Sequence, residues 1–91
     1  MPSSLIDELW QETPSGHIQR LFNFKDFKQA FAFMTECAMK AEEMNHHPEW
    51  FNVYNKVDVK LRTHDQDAIT DKDQLLASFM DDVYKRYQTG K

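Results

Sequence analysis

The sequence predicts an α+β fold: a two-layer sandwich with a four-stranded antiparallel sheet and helices packed on one face, in the order β-β-α-β-β-α. Three observations predict it. The hydrophobic period switches back and forth between about 2 and about 3.6 along the chain. The two segments with the helical period are long and free of Gly and Pro. Turn formers separate the remaining apolar runs into pairs, as hairpins require. Paired strands that each lead into a helix suit one sheet covered on one side.

Residues 9 to 24 open the chain as two strands, LWQET and HIQRLFNF, parted by Pro14, Ser15 and Gly16. Each of those three favours a turn for its own backbone reason. From Asp26 the run DFKQAFAFMTECAMKAEEM reads as a helix to Met44, because it is rich in helix formers. Asn45 and Pro48 mark its exit, since a proline disfavours helical geometry in the residue before it. WFNVYNKVDVKLRTH then supplies two strands. In its second half Val57, Val59 and Leu61 face one way and Asp58, Lys60 and Arg62 the other. Tyr54, Asn55, Lys56 and Val57 are expected as the tight turn between those strands. Thr70, with Asp73 three residues on, resembles a shortened capping box. It opens the last helix, DKDQLLASFMDDVYKRYQ, which puts Leu76, Phe79, Met80, Val83 and Tyr87 on one stripe and ends near Gly90.

The first long helix has more apolar surface than one sheet needs. At about 100° per residue, Phe27, Ala30, Phe31, Met34, Ala38 and Ala41 form one stripe and Phe33, Cys37 and Met44 a second beside it. Either both stripes pack under the sheet and the last helix, or one meets a partner chain. The second stripe, Phe33, Cys37 and Met44, is expected to meet another subunit, giving a homo-oligomer through helix 26–44.

At 91 residues the chain is read as one domain over 1–91. A domain this short buries only roughly 60 to 65% of its unfolded surface, which makes self-association a plausible aid. Lys and Arg number 11 against 15 Asp and Glu, a net charge of −4, so direct nucleic acid binding and an anionic membrane are not expected. The single Cys37 excludes an internal disulfide and suits a reducing compartment. The start MPSSLIDELW has neither a basic region nor a long apolar run, and no apolar stretch nears the roughly 18 residues of a membrane span. A soluble intracellular protein is expected.

Three of the four histidines, His46, His47 and His64, fall at element ends, two at the exit of the first long helix and one at the close of the fourth strand. Three readings of them stay open. Adjacent histidines before a proline can simply cap helix carbonyls. They can bind a metal, although neighbouring side chains rarely converge on one ion and no His-x3-His or thiolate pattern accompanies them. They can also act as acid and base, since an unperturbed imidazole titrates at about 6.5. No nucleophile elbow or phosphate-cradling glycine loop is present. Cys37, mid-helix on an apolar stripe, is a poor nucleophile.

EMNHHPEWFNVYNKVDVKL, followed by THD and then Asp73, resembles the pterin-4a-carbinolamine dehydratases, also known as dimerization cofactors of a homeodomain transcription factor. The family pattern appears in order as Glu42, His46, His47, Pro48, Tyr54, His64 and Asp73, and FNFKDFKQAFAFMTECAMKAE resembles the family's strand and long helix. The likeness covers about residues 17 to 88. It implies dehydration of 4a-hydroxytetrahydropterin to quinonoid dihydropterin in tetrahydrobiopterin recycling, with no metal or cofactor, in the cytoplasm or nucleus. It also implies proton transfer by His46 and His64, substrate holding by His47, a pterin bordered by Asn45, Thr63 and Asp65, and imidazoles oriented by Glu42 and Asp73. Trp50 is a candidate cover for the site. The same resemblance allows a non-enzymatic role, in which the long helix that builds a dimer or tetramer instead docks on a transcription factor. Two departures stand out. Nine residues precede Trp10, so the helix that family members carry before the first strand is expected to be missing or cut to about a turn. Asn45 replaces the Asp that many members carry, keeping a hydrogen-bonding side chain without its charge.

Overall fold

A computed structural model of the protein describes residues 9–89, with side chains as far as Tyr87. Among these residues the order is β1 (Gln11–Glu12), β2 (Ile18–Asn23), α1 (Phe27–Met44), β3 (Glu49–Val53), β4 (Lys56–Leu61) and α2 (Asp71–Thr89). The strands form one antiparallel sheet in the order β1-β2-β4-β3, and the expected α+β sandwich is the observed one. The shortened N-terminal helix and the helix end near Gly90 were expectations about residues outside the described ones.

The first hairpin is shorter than its apolar run. Pro14 has no amide hydrogen for a ladder, and β1 stops at Glu12. The chain then turns through bonds from the Thr13 amide to the His17 carbonyl (2.8 Å) and from the Gly16 amide to the Thr13 carbonyl (3.0 Å). Gly16 takes φ 85°, where a Cβ would be strained.

Ile18 pairs with Leu61, Arg20 with Val59 and Phe22 with Val57. The alternation read from β4 holds: Val57, Val59 and Leu61 are buried on the helix side with Ile18 and Phe22. Positions of opposite parity, Leu21, Phe51 and Val53, remain exposed on the other face. Phe22 is the centre of the aromatic core, with ring centroids 4.7 Å from Phe33, 4.9 Å from Tyr84 and 5.8 Å from Trp10. Burying such a ring stabilises the fold by about 1.5 to 3 kcal/mol.

The second hairpin turns one residue earlier than expected. Val53 pairs with Lys56, so the loop is Tyr54 and Asn55 alone, with Tyr54 at φ 51°. Asn55 is held as a continuation of the ladder: its carbonyl accepts from the Phe24 amide at 2.9 Å and its side-chain amide donates to the Phe24 carbonyl at 2.8 Å. Those two bonds fix the register that the weak Asn-Lys signal left loose.

Helix α1 begins where the Asp26 carboxylate accepts the Gln29 amide at 2.9 Å, satisfying one of the first-turn donors. Its buried residues are Ala30, Phe33, Cys37 and Ala41, with Met44 packed partly against them. This corrects the expected division of stripes. Phe33 and Cys37 belong to the core and do not face a partner, while Phe27 and Phe31 of the first stripe are 45% and 54% exposed. The sheet and α2 fill an arc of about 80° centred on Cys37, at about 100° per residue, and the neighbouring arc of residues 27, 31 and 38 lies beyond their reach. Along α2, Leu76, Ala77, Met80 and Val83 are buried and Phe79 and Tyr87 half-buried. An ion pair between Arg86 and Glu36 ties it to α1. No described helix is long and apolar enough to cross a membrane.

Candidate functional site

The exit of α1 decides where the adjacent histidines go. Asn45 takes φ 54° and ψ 44°, a left-handed conformation that asparagine tolerates better than most residues. Its amide bonds the Glu42 carbonyl at 3.1 Å, and the His46 amide bonds the Ala41 carbonyl at 2.9 Å. This Schellman-type pair satisfies two of the last helix carbonyls. The backbone of the pair therefore does the capping. Their side chains are released for other contacts, and as consecutive residues of non-helical chain they diverge.

His46 turns inward and is 7% exposed. Its Nε2 lies 2.6 Å from Oδ1 of Asp73, which is wholly buried in the first turn of α2. The other oxygen, Oδ2, accepts from the Thr63 hydroxyl at 2.7 Å and the Thr70 amide at 2.8 Å. Thr70 Oγ1 lies 2.6 Å from Thr63 Oγ1 and accepts weakly from the Lys72 amide at 3.3 Å. The bond from the Thr70 amide to Asp73 Oδ2 is one half of a capping box, with Asp in place of Glu, while the Thr70 hydroxyl takes the Lys72 amide. Asp73 is thus a cap and the partner of a histidine 27 residues away. A carboxylate only accepts, so His46 presents Nε2–H to Oδ1 and leaves Nδ1 free to exchange a proton.

His47 turns outward, its Nε2 2.9 Å from Glu42 Oε1 one turn back on α1, with both side chains exposed. The strand expected to run on to His64 leaves the ladder after Leu61. Thr63 forms an isolated bridge with Ala68, and residues 64–67 make a turn closed by the Asp67 amide on the His64 carbonyl at 3.1 Å. Thr63 is buried with its hydroxyl on Asp73, whereas His64 and Asp65 are exposed on the turn. His64 Nε2 lies 3.3 Å from Glu49 Oε2, at the first residue of β3. The same oxygen bonds His17 Nε2 at 2.9 Å.

Asp73 therefore joins His46 to the strand end that carries His64, and the helix exit and strand end are neighbours. Pro48 and Trp50 are half-buried beside them, and Trp50 packs against the core. Tyr54 is the predicted residue that the fold sets apart: it sits 63% exposed in the β3–β4 turn, at the far end of the hairpin from Glu49 and Leu61. Neither His17 nor Glu49 stands out in the sequence. His17 precedes a strand with no motif around it, and Glu49 reads as an ordinary edge-strand charge. Only the pairing of β2 and β3 with opposite sides of β4 puts their ends together.

The charges follow the contacts. The bond from His17, with help from His64 and Lys60, holds the Glu49 carboxyl below its usual range despite some burial. Burial pushes the Cys37 thiol from an ordinary 9.0 up to about 12, so it is a packed apolar group and not a nucleophile. Among the described residues no group of three or more His, Cys, Asp or Glu is placed to hold a metal ion.

Comparison with known proteins points one way. Residues 3–83 match the family model of the Pterin 4 alpha carbinolamine dehydratases, beginning earlier than the residues that first suggested the likeness. A protein of Burkholderia cenocepacia described as "Putative pterin-4-alpha-carbinolamine dehydratase" is 55% identical over 82 residues, 89% of this chain and 80% of that one. A Burkholderia vietnamiensis protein of the same description is 59% identical over 75 residues, covering 81% and 74%. The crystal structure of a transcriptional coactivator/pterin dehydratase from Brucella melitensis superposes with a TM-score of 0.83 at 45% identity, over 85% of this chain and 83% of that one.

Proposed function

Because the chain belongs to the pterin-4a-carbinolamine dehydratase family, we propose that it dehydrates 4a-hydroxytetrahydrobiopterin to quinonoid dihydrobiopterin and water, as a single domain over residues 1–91. The observation that carries this reading is the buried His46–Asp73 pair at 2.6 Å, joined through Thr63 to the turn that holds His64. A helix exit that needed only capping would have no use for that pair, since the backbone amides of Asn45 and His46 already cap α1.

The reaction breaks the C4a–O bond, with a proton delivered to the departing hydroxide, and removes the proton from N5 as the C4a=N5 double bond forms. Two imidazoles, one giving a proton and one taking it, suffice for both transfers, each worth about 10² to 10⁴ in rate when well placed. His46 and His64 carry them. His46 is backed by Asp73 and works through its Nδ1. His47, braced by Glu42 on the outer side, holds the substrate, and Asn45 and Asp65 border it from either side of the site. Thr63 contributes from beneath, by holding Asp73. The chemistry is complete with these side chains and the substrate.

The test is direct. Purified protein is expected to accelerate the loss of 4a-hydroxytetrahydrobiopterin followed by absorbance, and His46→Ala combined with His64→Ala to remove nearly all of the acceleration. A wild-type rate no better than buffer overturns the reading.

One observation favours a second reading, in which the chain is a binding module that acts as dimerization cofactor of a transcription factor in the cytoplasm and nucleus. Phe27 and Phe31 stack at 5.6 Å on the outer face of α1, about half exposed, as a docking helix would present them. The same face serves a dimer or tetramer of this chain. A partner role survives the histidine substitutions and is lost with a charge at Phe31; the dehydratase role responds in the opposite way.

A further inference from the structure

The imidazoles of the histidine trio share one feature: the Nε2 of each lies against a carboxylate. Asp73 stands behind His46, Glu42 behind His47 and Glu49 behind His64. Glu49 differs from the others in being fixed from a second direction. Its Oε2 bonds His17 Nε2 at 2.9 Å, His17 Nδ1 lies 2.8 Å from Ser15 Oγ, and Ser15 Oγ lies 2.9 Å from Thr13 Oγ1. The His17 amide donates to that same Thr13 oxygen at 3.2 Å. His17 is 9% exposed, whereas Glu49 and His64 are at the surface.

We propose that Glu49, locked by His17 and the β1–β2 turn, is a positioning residue that fixes the tautomer and direction of the His64 ring for the dehydratase reaction. The inference rests on the dehydratase reading for its catalytic consequence. The polarity of the chain follows from donor counting. A carboxylate oxygen only accepts, so His17, hydrogen-bonded to Oε2 at 2.9 Å, presents N–H to it, and His64, in ion-pair contact at 3.3 Å, is drawn to turn its own Nε2–H the same way. His17 then accepts at Nδ1, for which the Ser15 hydroxyl is the donor, and every bond runs in one direction. His64 is left with its lone pair on Nδ1, pointing away from Glu49, ready to take a proton from substrate. Without a fixed acceptor, an exposed imidazole on a turn would sample both tautomers and several ring orientations, and only a part of that population would be productive. His46 achieves the same end by burial against Asp73; His64 is exposed and needs an anchored surface carboxylate.

Two measurements test this. In wild-type protein, at a pH high enough that the His64 ¹⁵N shifts no longer change with pH, its ring nitrogens should give the shifts of a single Nε2–H tautomer. In Glu49→Gln, whose amide presents both a donor and an acceptor, they should move to values averaged between the two tautomers. The catalytic counterpart is a fall in kcat of about tenfold with KM within about twofold, a fraction of what a placed base contributes. His17→Ala should shift both readouts in the same direction by less, and His17→Gln, which keeps an amide donor for Glu49, should recover part of the loss. Unchanged His64 nitrogen shifts in Glu49→Gln, or a loss confined to KM, overturn the proposal. A wild type without dehydratase activity removes the reaction, yet the nitrogen shifts still decide for or against Glu49 as the anchor of His64.

Discussion

At the scale of single residues, environment and not residue type separates chemistry from packing. Cys37 and His46 are both buried on or beside α1, yet one is surrounded by apolar groups and the other meets a carboxylate. For Cys37 the consequence is a thiol that stays protonated, with a pKa near about 12. The folded state therefore holds this proton more tightly than the unfolded chain, where a cysteine ionises at its ordinary 9.0. Between those values the unfolded state binds fewer protons, so this group's contribution to stability declines as pH rises from 9.0 toward about 12 and is constant below. The same burial predicts negligible reaction with a disulfide reagent at pH 8 in buffer, and complete reaction in denaturant. A thiol that titrates at the free-cysteine rate without denaturant contradicts its place in the core. Asn45 shows the opposite economy: one residue closes α1 by its backbone and stands beside the histidines. Asparagine suits the left-handed turn, which gives a local reason for its presence.

At the scale of elements, the junction between β2 and α2 is polar where the pattern suggests an apolar seam. Arg20 occupies an inward position of β2, over the rings of Phe22 (4.5 Å) and Tyr84 (5.0 Å), and bonds Asp81 at 2.5 Å. Trp10 Nε1 donates to the same carboxylate at 2.9 and 3.1 Å. Removing it strands a mostly buried guanidinium and an indole N–H, and breaking such a pair costs about 3 kcal/mol. Asp81→Ala is therefore expected to lower the urea midpoint strongly. Asp82→Ala, next along the helix but exposed and only 3.9 Å from Lys85, should change stability by less than about 0.5 kcal/mol. Equal midpoints for the two variants refute the assignment. This junction also marks where the sequence stops being readable. Alternation along 57–62, the length of both helices and the cap at Thr70 and Asp73 are local properties, and each is legible by periodicity or spacing. Arg20 and Asp81 are 61 residues apart, and their pairing depends on which helix lies across which strand. The same holds for the site. The family likeness sets the trio and Asp73 in one ordered pattern, whereas His17 and Glu49 meet only through the sheet order β1-β2-β4-β3. The wide apolar arc of α1 was legible as well, but periodicity measures its width and not which half the sheet covers.

At the scale of the whole molecule, a chain of 91 residues leaves apolar surface that its own core does not use. On the sheet's open side Leu21, Phe51 and Val53 are exposed, but Lys56, Asp58 and Lys60 lie among them. On α1 the exposed rings are contiguous: Phe27 and Phe31 stack, and Ala38 extends the stripe along the same face. Aromatic side chains bury about 150 to 250 Å² each, so covering the exposed half of one ring removes on the order of 100 Å² from water, worth about 2.5 kcal/mol. In a two-fold dimer each residue counts twice, and the four rings together supply roughly 10 kcal/mol. That is comparable to the about 4 to 15 kcal/mol lost in freedom on association, so the rings can tip the balance but the interface depends on all of them. Phe31→Glu removes two of the four and would bury two like charges in such an interface. Its effect on the isolated fold should be small, because Phe31 contributes little to the core. The expected outcome in sedimentation equilibrium at micromolar concentration is an oligomeric wild type and a monomeric Phe31→Glu, with a dissociation constant raised by at least about 100-fold. Phe33→Glu, aimed at the buried side of the same helix, should unfold the chain instead of dissociating it. A wild type that sediments as a monomer, or a Phe31→Glu variant that stays oligomeric, would show that the outer face of α1 is not where this chain meets a second copy.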